Sequence, residues 1–130
     1  MAYTDDSQLP LLSEEDFLAS RATLRPCTVL VLKAGPAFEP PGPDPTTGVT
    51  KIIWQHGKRN ARLRMAGLMP IVCPIGDGGA IKGIAILIAS VEESERIMAA
   101  DPAVLAGVLT YELHDSRTLA GSAVPPMKAI

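Results

Sequence analysis

Aromatic residues are scarce in this chain: one Trp, two Tyr and two Phe among 130 residues, and Phe17, Phe38 and Trp54 all fall outside the runs that read as strands. A sheet that stacks RNA bases needs aromatic side chains on its strands, so that class is set aside. Positive charge is not in excess either. Twelve Lys and Arg against 14 Asp and Glu give a formal net charge of −2, which offers phosphates no basic field, and no nucleic-acid partner is expected. Long apolar runs are missing too: no stretch approaches the roughly 18 to 20 residues of a membrane span. The start, "MAYTDDSQLP", has neither a basic region nor an apolar one behind it, so no membrane is expected and the cytoplasm is the expected location. Cysteine is limited to Cys27 and Cys73, both in apolar strand-like runs. They are too few for a zinc cluster and are expected to be reduced packing residues.

What is present fits one domain, with 47% hydrophobic and 20% charged residues. A domain this small buries a modest core and often shares a binding cavity with a second copy, which makes a homodimer the expected state. Residues 1–25 read as an N-terminal extension, in which "SEEDFLAS" (13–20) forms a short helix capped by Ser13. Residues 26–117 read as the folded domain and 118–130 as a tail, its Pro-Pro stretch loose. "CTVLVLKAG" (27–35) predicts a buried strand. Five prolines in "GPAFEPPGPDPTTG" (35–48) make a long loop, expected to border a pocket mouth.

From about Val49 to Ala66 the spacing turns helical, with Gly67 as the stop. At about 100° per residue, Val49, Ile52, Ile53, His56 and Leu63 share an inward stripe. "LMPIVCPI" (68–75) and "IKGIAILIA" (81–89) are strands joined in a hairpin by Gly-Asp-Gly-Gly. Ser90 with Glu93 makes a capping box that opens a helix over 91–100, and "AGVLTYELHD" (106–115) is the last strand. The order β-α-β-β-α-β predicts an α+β, ferredoxin-like fold, a four-stranded antiparallel sheet with two helices on one face. The two helices are expected to run parallel, which puts His56 and Asp101 within about 3 Å in height, close enough for a hydrogen bond. The other sheet face is left open and apolar, and a second chain is expected to cover it.

Three features stand together: His56 lies 11 residues before Gly67, Gly67 lies seven before Pro74, and the second helix runs into "ADPAVLAGV" (100–108). They resemble the YCII-related family of dimeric α/β-barrel proteins, over residues 27–117. The resemblance implies that His56 and Asp101 form an active-site pair. The chain departs from the family at Ile53, where an arginine is frequent, and at Cys73-Pro74, where the family has Gly-Pro. An imidazole titrating near about 6.5 can take and return protons around neutrality, and a carboxylate on its other nitrogen fixes the tautomer. The plainer alternative is a core histidine, with Asp101 only turning the chain before Pro102.

Beside the pair, Ile53, Cys73, Val31, Ile84, Ile86 and Asp77 are expected as substrate contacts, with Val29 in the same pocket wall. Asp77 also has a purely local explanation in its turn. Gly-Asp-Gly-Gly is no phosphate loop, because no lysine follows and a strand rather than a helix comes next. Lys58, Arg59, Arg62 and Arg64 read as a solvated helix face. His114-Asp115 ends the last strand, and two isolated ligands do not make a metal site. The expected function is a cofactor-free isomerase or lyase, including dehydratases, acting on a small apolar carbonyl, lactone or phenolic compound. The alternative is a non-catalytic dimeric ligand-binding module.

Overall fold

The computed structural model describes residues 2–122 and 124; the Pro125-Pro126 stretch expected to be loose lies outside the described residues. A short 3₁₀ turn (Asp6–Gln8) and helix α1 (Glu14–Arg21), capped by Ser13 Oγ on the Asp16 N–H, precede the sheet, and no residue of either is buried. Strand β1 (Leu24–Ala34) pairs along its whole length with β4 (Leu109–Leu119), from Leu24↔Leu119 to Ala34↔Leu109. Each strand supplies the other's backbone partners, so both overrun the sequence boundaries at 26 and 117. On its other side β1 pairs with β3 (Ile81–Leu87), and β2 (Ile71–Pro74) closes that edge. Pro70 and Pro74 have no N–H to offer, which keeps β2 shorter than its apolar run. The sheet is antiparallel throughout, in the order β2-β3-β1-β4, and the fold is α+β and ferredoxin-like.

Helix α2 (Gly48–Met65) follows the proline-rich loop and ends where Gly67 takes a φ of 77°. Gly67 N–H then reaches Arg64 O and Leu68 N–H reaches Leu63 O, the paired bonds of a Schellman stop. Helix α3 (Val91–Ala99) starts on Ser90, whose Oγ accepts from Glu93 N–H. It stops before Asp101, and a separate single turn, α4 (Pro102–Leu105), comes next. The expectation of one helix carrying Asp101 is corrected here. Pro102 pushes the preceding residue out of the helical region, and Asp101 is extended at φ −67°, ψ 133°.

The parallel arrangement of the two long helices is corrected as well. β1 opposes β3 and β4, and β2 opposes β3, so β1 and β2 share a direction. α2 must therefore return against β1, while α3 returns against β3, and the two helices run in opposite senses. Alternation sends Leu30, Leu32, Ala85 and Leu87 to the helix side, where they form the core with Met69, Met98, Ala103 and Val108. Val29, Val31, Ile84 and Ile86 face the other way, Val29 beside Ile86 and Val31 beside Ile84. Across β1 on that face stand His114 and Glu112 of β4, with Lys33 paired to Glu112. The open face is thus apolar over β3 and β1 and polar over β4. No helix among the described residues is long and apolar enough to cross a membrane.

Gly35 fixes where the proline-rich loop leaves the sheet. A Cβ there would stand 2.2 Å from Gly107 O, and the Gly35 N–H and Ala37 N–H donate to Val108 O and Gly107 O. The loop is pinned against the lead-in to β4, which brings it over α2.

Candidate functional site

Positions 53, 56, 57, 60, 61 and 64 recur at the three- and four-residue spacing that shares one helix face. On α2 these are Ile53, His56, Gly57, Asn60, Ala61 and Arg64, and all six border one cleft. Gly57 and Ala61 leave the room for it, since a Cβ at Gly57 would meet nothing within 4 Å. The cleft, about 1020 Å³, lies between this face, the sheet at Leu32 and Val72, the β2–β3 turn, and Phe38, Pro40 and Pro41 of the proline-rich loop. Gly42 N–H donates to Thr50 Oγ1 at 2.7 Å and ties that loop to the start of α2.

Asp101 has no exposed surface and caps α4. Its Oδ1 accepts from Ala103 N–H at 2.8 Å and its Oδ2 from His56 Nδ1–H at 2.8 Å. Burial by itself would raise this carboxyl. The hydrogen bond and charge of His56, the Ala103 N–H, and the Arg59 guanidinium, with Nη1 3.7 Å from Oδ2, outweigh burial and hold the group below its ordinary 3.8. An ionised carboxylate only accepts, so Nδ1 carries a proton, and in the neutral ring Nε2 presents a lone pair. Asn60, one turn further along α2, donates Nδ2–H to that lone pair at 3.1 Å. Asn60 Oδ1 is buried with no hydrogen-bond partner among the described residues. A half-turn of the amide would set Oδ1 against an Nε2–H, so this one side chain can hold the nitrogen in either protonation state.

No family model matches the sequence, and no curated protein does. The atoms of the site offer proton transfer: a hydrogen-bonded imidazole beside an apolar cleft can take a proton from a bound molecule and give it back. Among the described residues no three His, Cys, Asp or Glu side chains gather so as to hold a metal ion.

Of the residues expected in the pocket, His56, Ile53, Cys73 and Ile84 border the cleft, and Asp101 stands behind His56. Val31 and Ile86, like Val29, do not border it: strand alternation turns them to the opposite face of the sheet, and of the aliphatics on that face only Ile84, next to the β2 edge, also reaches the cleft. Asp77 does not border it either: its Oδ1 accepts from Gly79 N–H at 2.9 Å within the turn, while Gly76, Gly78 and Gly79 form the wall with backbone. Both cysteines are free, but only Cys27 is buried. Cys73 is exposed at the end of a four-residue edge strand, which corrects the expectation that it packs. The basic face of α2 also divides. Lys58, Arg62 and Arg64 are exposed as expected, Arg64 at the edge of the cleft, whereas Arg59 is half-buried against Asp101. Asn60 was not singled out from the sequence and Arg59 was expected only on a solvated face, although they lie one turn from His56, at i+4 and i+3.

Proposed function

We propose that this protein is a small cytoplasmic acid/base enzyme of the YCII-related kind, an isomerase or lyase acting on a small, largely apolar carbonyl, lactone or phenolic compound without a cofactor. The observation that carries this reading is the buried His56–Asp101 pair beside an apolar cleft that both His56 and its Nε2 partner Asn60 border. In the proposed cycle the Asn60 amide first swings off the Nε2 lone pair, Nε2 takes a proton from a bound molecule, Asp101 supports the imidazolium through Nδ1–H, and Nε2 returns the proton at another position or to a leaving group. The Asn60 amide turns to accept from Nε2–H while the proton is held. A positioned acid/base of this kind contributes about 10²–10⁴-fold.

The test is deuterium wash-in from D₂O, followed by NMR, into cyclic ketones, unsaturated lactones and substituted phenols that bind the cleft. Exchange faster than in buffer, at one position of at least one compound, is the expected result. Binding without any acceleration would leave a non-catalytic ligand-binding module in its place.

The reading includes a homodimer in which the open sheet faces of two copies pack together. Its support is the aliphatic surface of Val29, Val31, Ile84 and Ile86 on that face, Ile84 being 38% exposed. Sedimentation at micromolar concentration is expected to show a dimer, and a folded monomer there would overturn this part.

A further inference from the structure

We propose that the molecule taken into the cleft is an anion, a small apolar organic acid whose carboxylate is held between Arg64 and Lys82. This rests on the cleft being the ligand site and adds the substrate's charge to that reading. The whole chain carries more acidic than basic residues, yet the cleft is bordered by Arg64 from α2 and Lys82 from β3 and, among the described residues, by no Asp or Glu. Glu39, on the overlying loop, is exposed and outside the wall. Neither cation has a carboxylate partner among the described residues.

Lys82 is placed by an irregularity of the sheet. The β1–β3 register slips between Leu32 and Lys33, where Leu32 meets Gly83 and Lys33 meets Ile81, so Lys82 is the unpaired extra residue. A bulge re-aims the side chain it carries. The Lys82 ammonium lies over the Phe38 ring, 4.6 Å from its centroid, and is half-buried at the cleft wall. Arg64 stands two turns beyond His56 on the same face of α2, about 12 Å along the axis between Cα atoms, and a long helical side chain reaches back toward the N-terminus. Ile53, Ala61 and Val72 border the same cleft. That layout suits an apolar body with its reacting carbon at His56 and a carboxylate at the far end. Apolar walls strengthen the attraction to the half-buried Lys82 relative to open water, while the exposed Arg64 acts from the mouth of the cleft.

The experiment compares matched probes by calorimetry and by amide shifts of Gly57, Ala61 and Gly83: 3-phenylpropionate against 3-phenylpropanamide, and hexanoate against hexanamide. The carboxylate is expected to bind about tenfold or more tightly than its amide in both pairs. Arg64→Gln and Lys82→Gln should each reduce that preference, and the double variant should abolish it, the acid losing more affinity than the amide. Equal binding of acid and amide, a preference that survives the double variant, or no binding of any probe at millimolar concentration would overturn the proposal. The preference does not require turnover. A carboxylate-selective cleft with no deuterium exchange would sink the enzymatic reading alone, and exchange into neutral compounds without carboxylate selectivity would sink this one alone.

Discussion

Asp101→Asn is expected to slow proton transfer by about 10²–10⁴-fold, nearly as much as His56→Ala, while leaving the chain folded. The cause is the proton's position. Ala103 N–H requires an acceptor at Oδ1, so the new amide can satisfy it only by placing its NH₂ where Oδ2 faces His56 Nδ1. That NH₂ donates, Nδ1 must then accept, and the imidazole proton moves to Nε2. Nε2 loses the lone pair that the proposed cycle uses, and no carboxylate remains to support an imidazolium. ¹⁵N chemical shifts of the His56 ring read this without a substrate: the protonated nitrogen should switch from Nδ1 to Nε2. Unslowed exchange in either variant, or an unchanged tautomer in Asp101→Asn, would remove the catalytic assignment.

Asp101→Ala should destabilise the protein by about 3–5 kcal/mol at neutral pH, the range found when one member of a buried charged pair is removed. Three groups lose their acceptor or counter-charge together: the Ala103 N–H at the start of α4, His56 Nδ1–H, and Arg59 Nη1, which is buried without a hydrogen-bond partner among the described residues. The effect depends on pH with a definite sign. The folded-state value of Asp101 lies below 3.8, so its stabilisation is present above 3.8 and is lost as pH falls through the folded value. Urea unfolding across a pH series should therefore show the gap between wild type and Asp101→Ala widest near neutrality and narrowing in acid. A gap that stayed constant into strongly acid solution would show that Asp101 contributes as a cap and not as a charge.

Element order and fold class were readable from the sequence because they follow from short-range periodicity. The aliphatic run in "CTVLVLKAG", the helical spacing from Val49, the glycine stop at 67 and the Ser90 cap are each decided within a few residues, and they lie in the structure where those patterns place them. The resemblance singled out His56 and Asp101 without saying how they would meet. Their contact joins residues 45 apart, through antiparallel helices and an extended Asp101 beyond the end of α3, a geometry that no local pattern carries. Tertiary structure also decided which aliphatics reach the cleft, because the face that the helices cover sends Val31 and Ile86 to the opposite side. It divided the basic run of α2 among solvent, Asp101 and the cleft, and a one-residue slip in strand register left Lys82 unpaired at the wall. The physical reason is common to all of these. Side-chain periodicity sets which residues share a face, and only the packing of one element on another sets what that face meets.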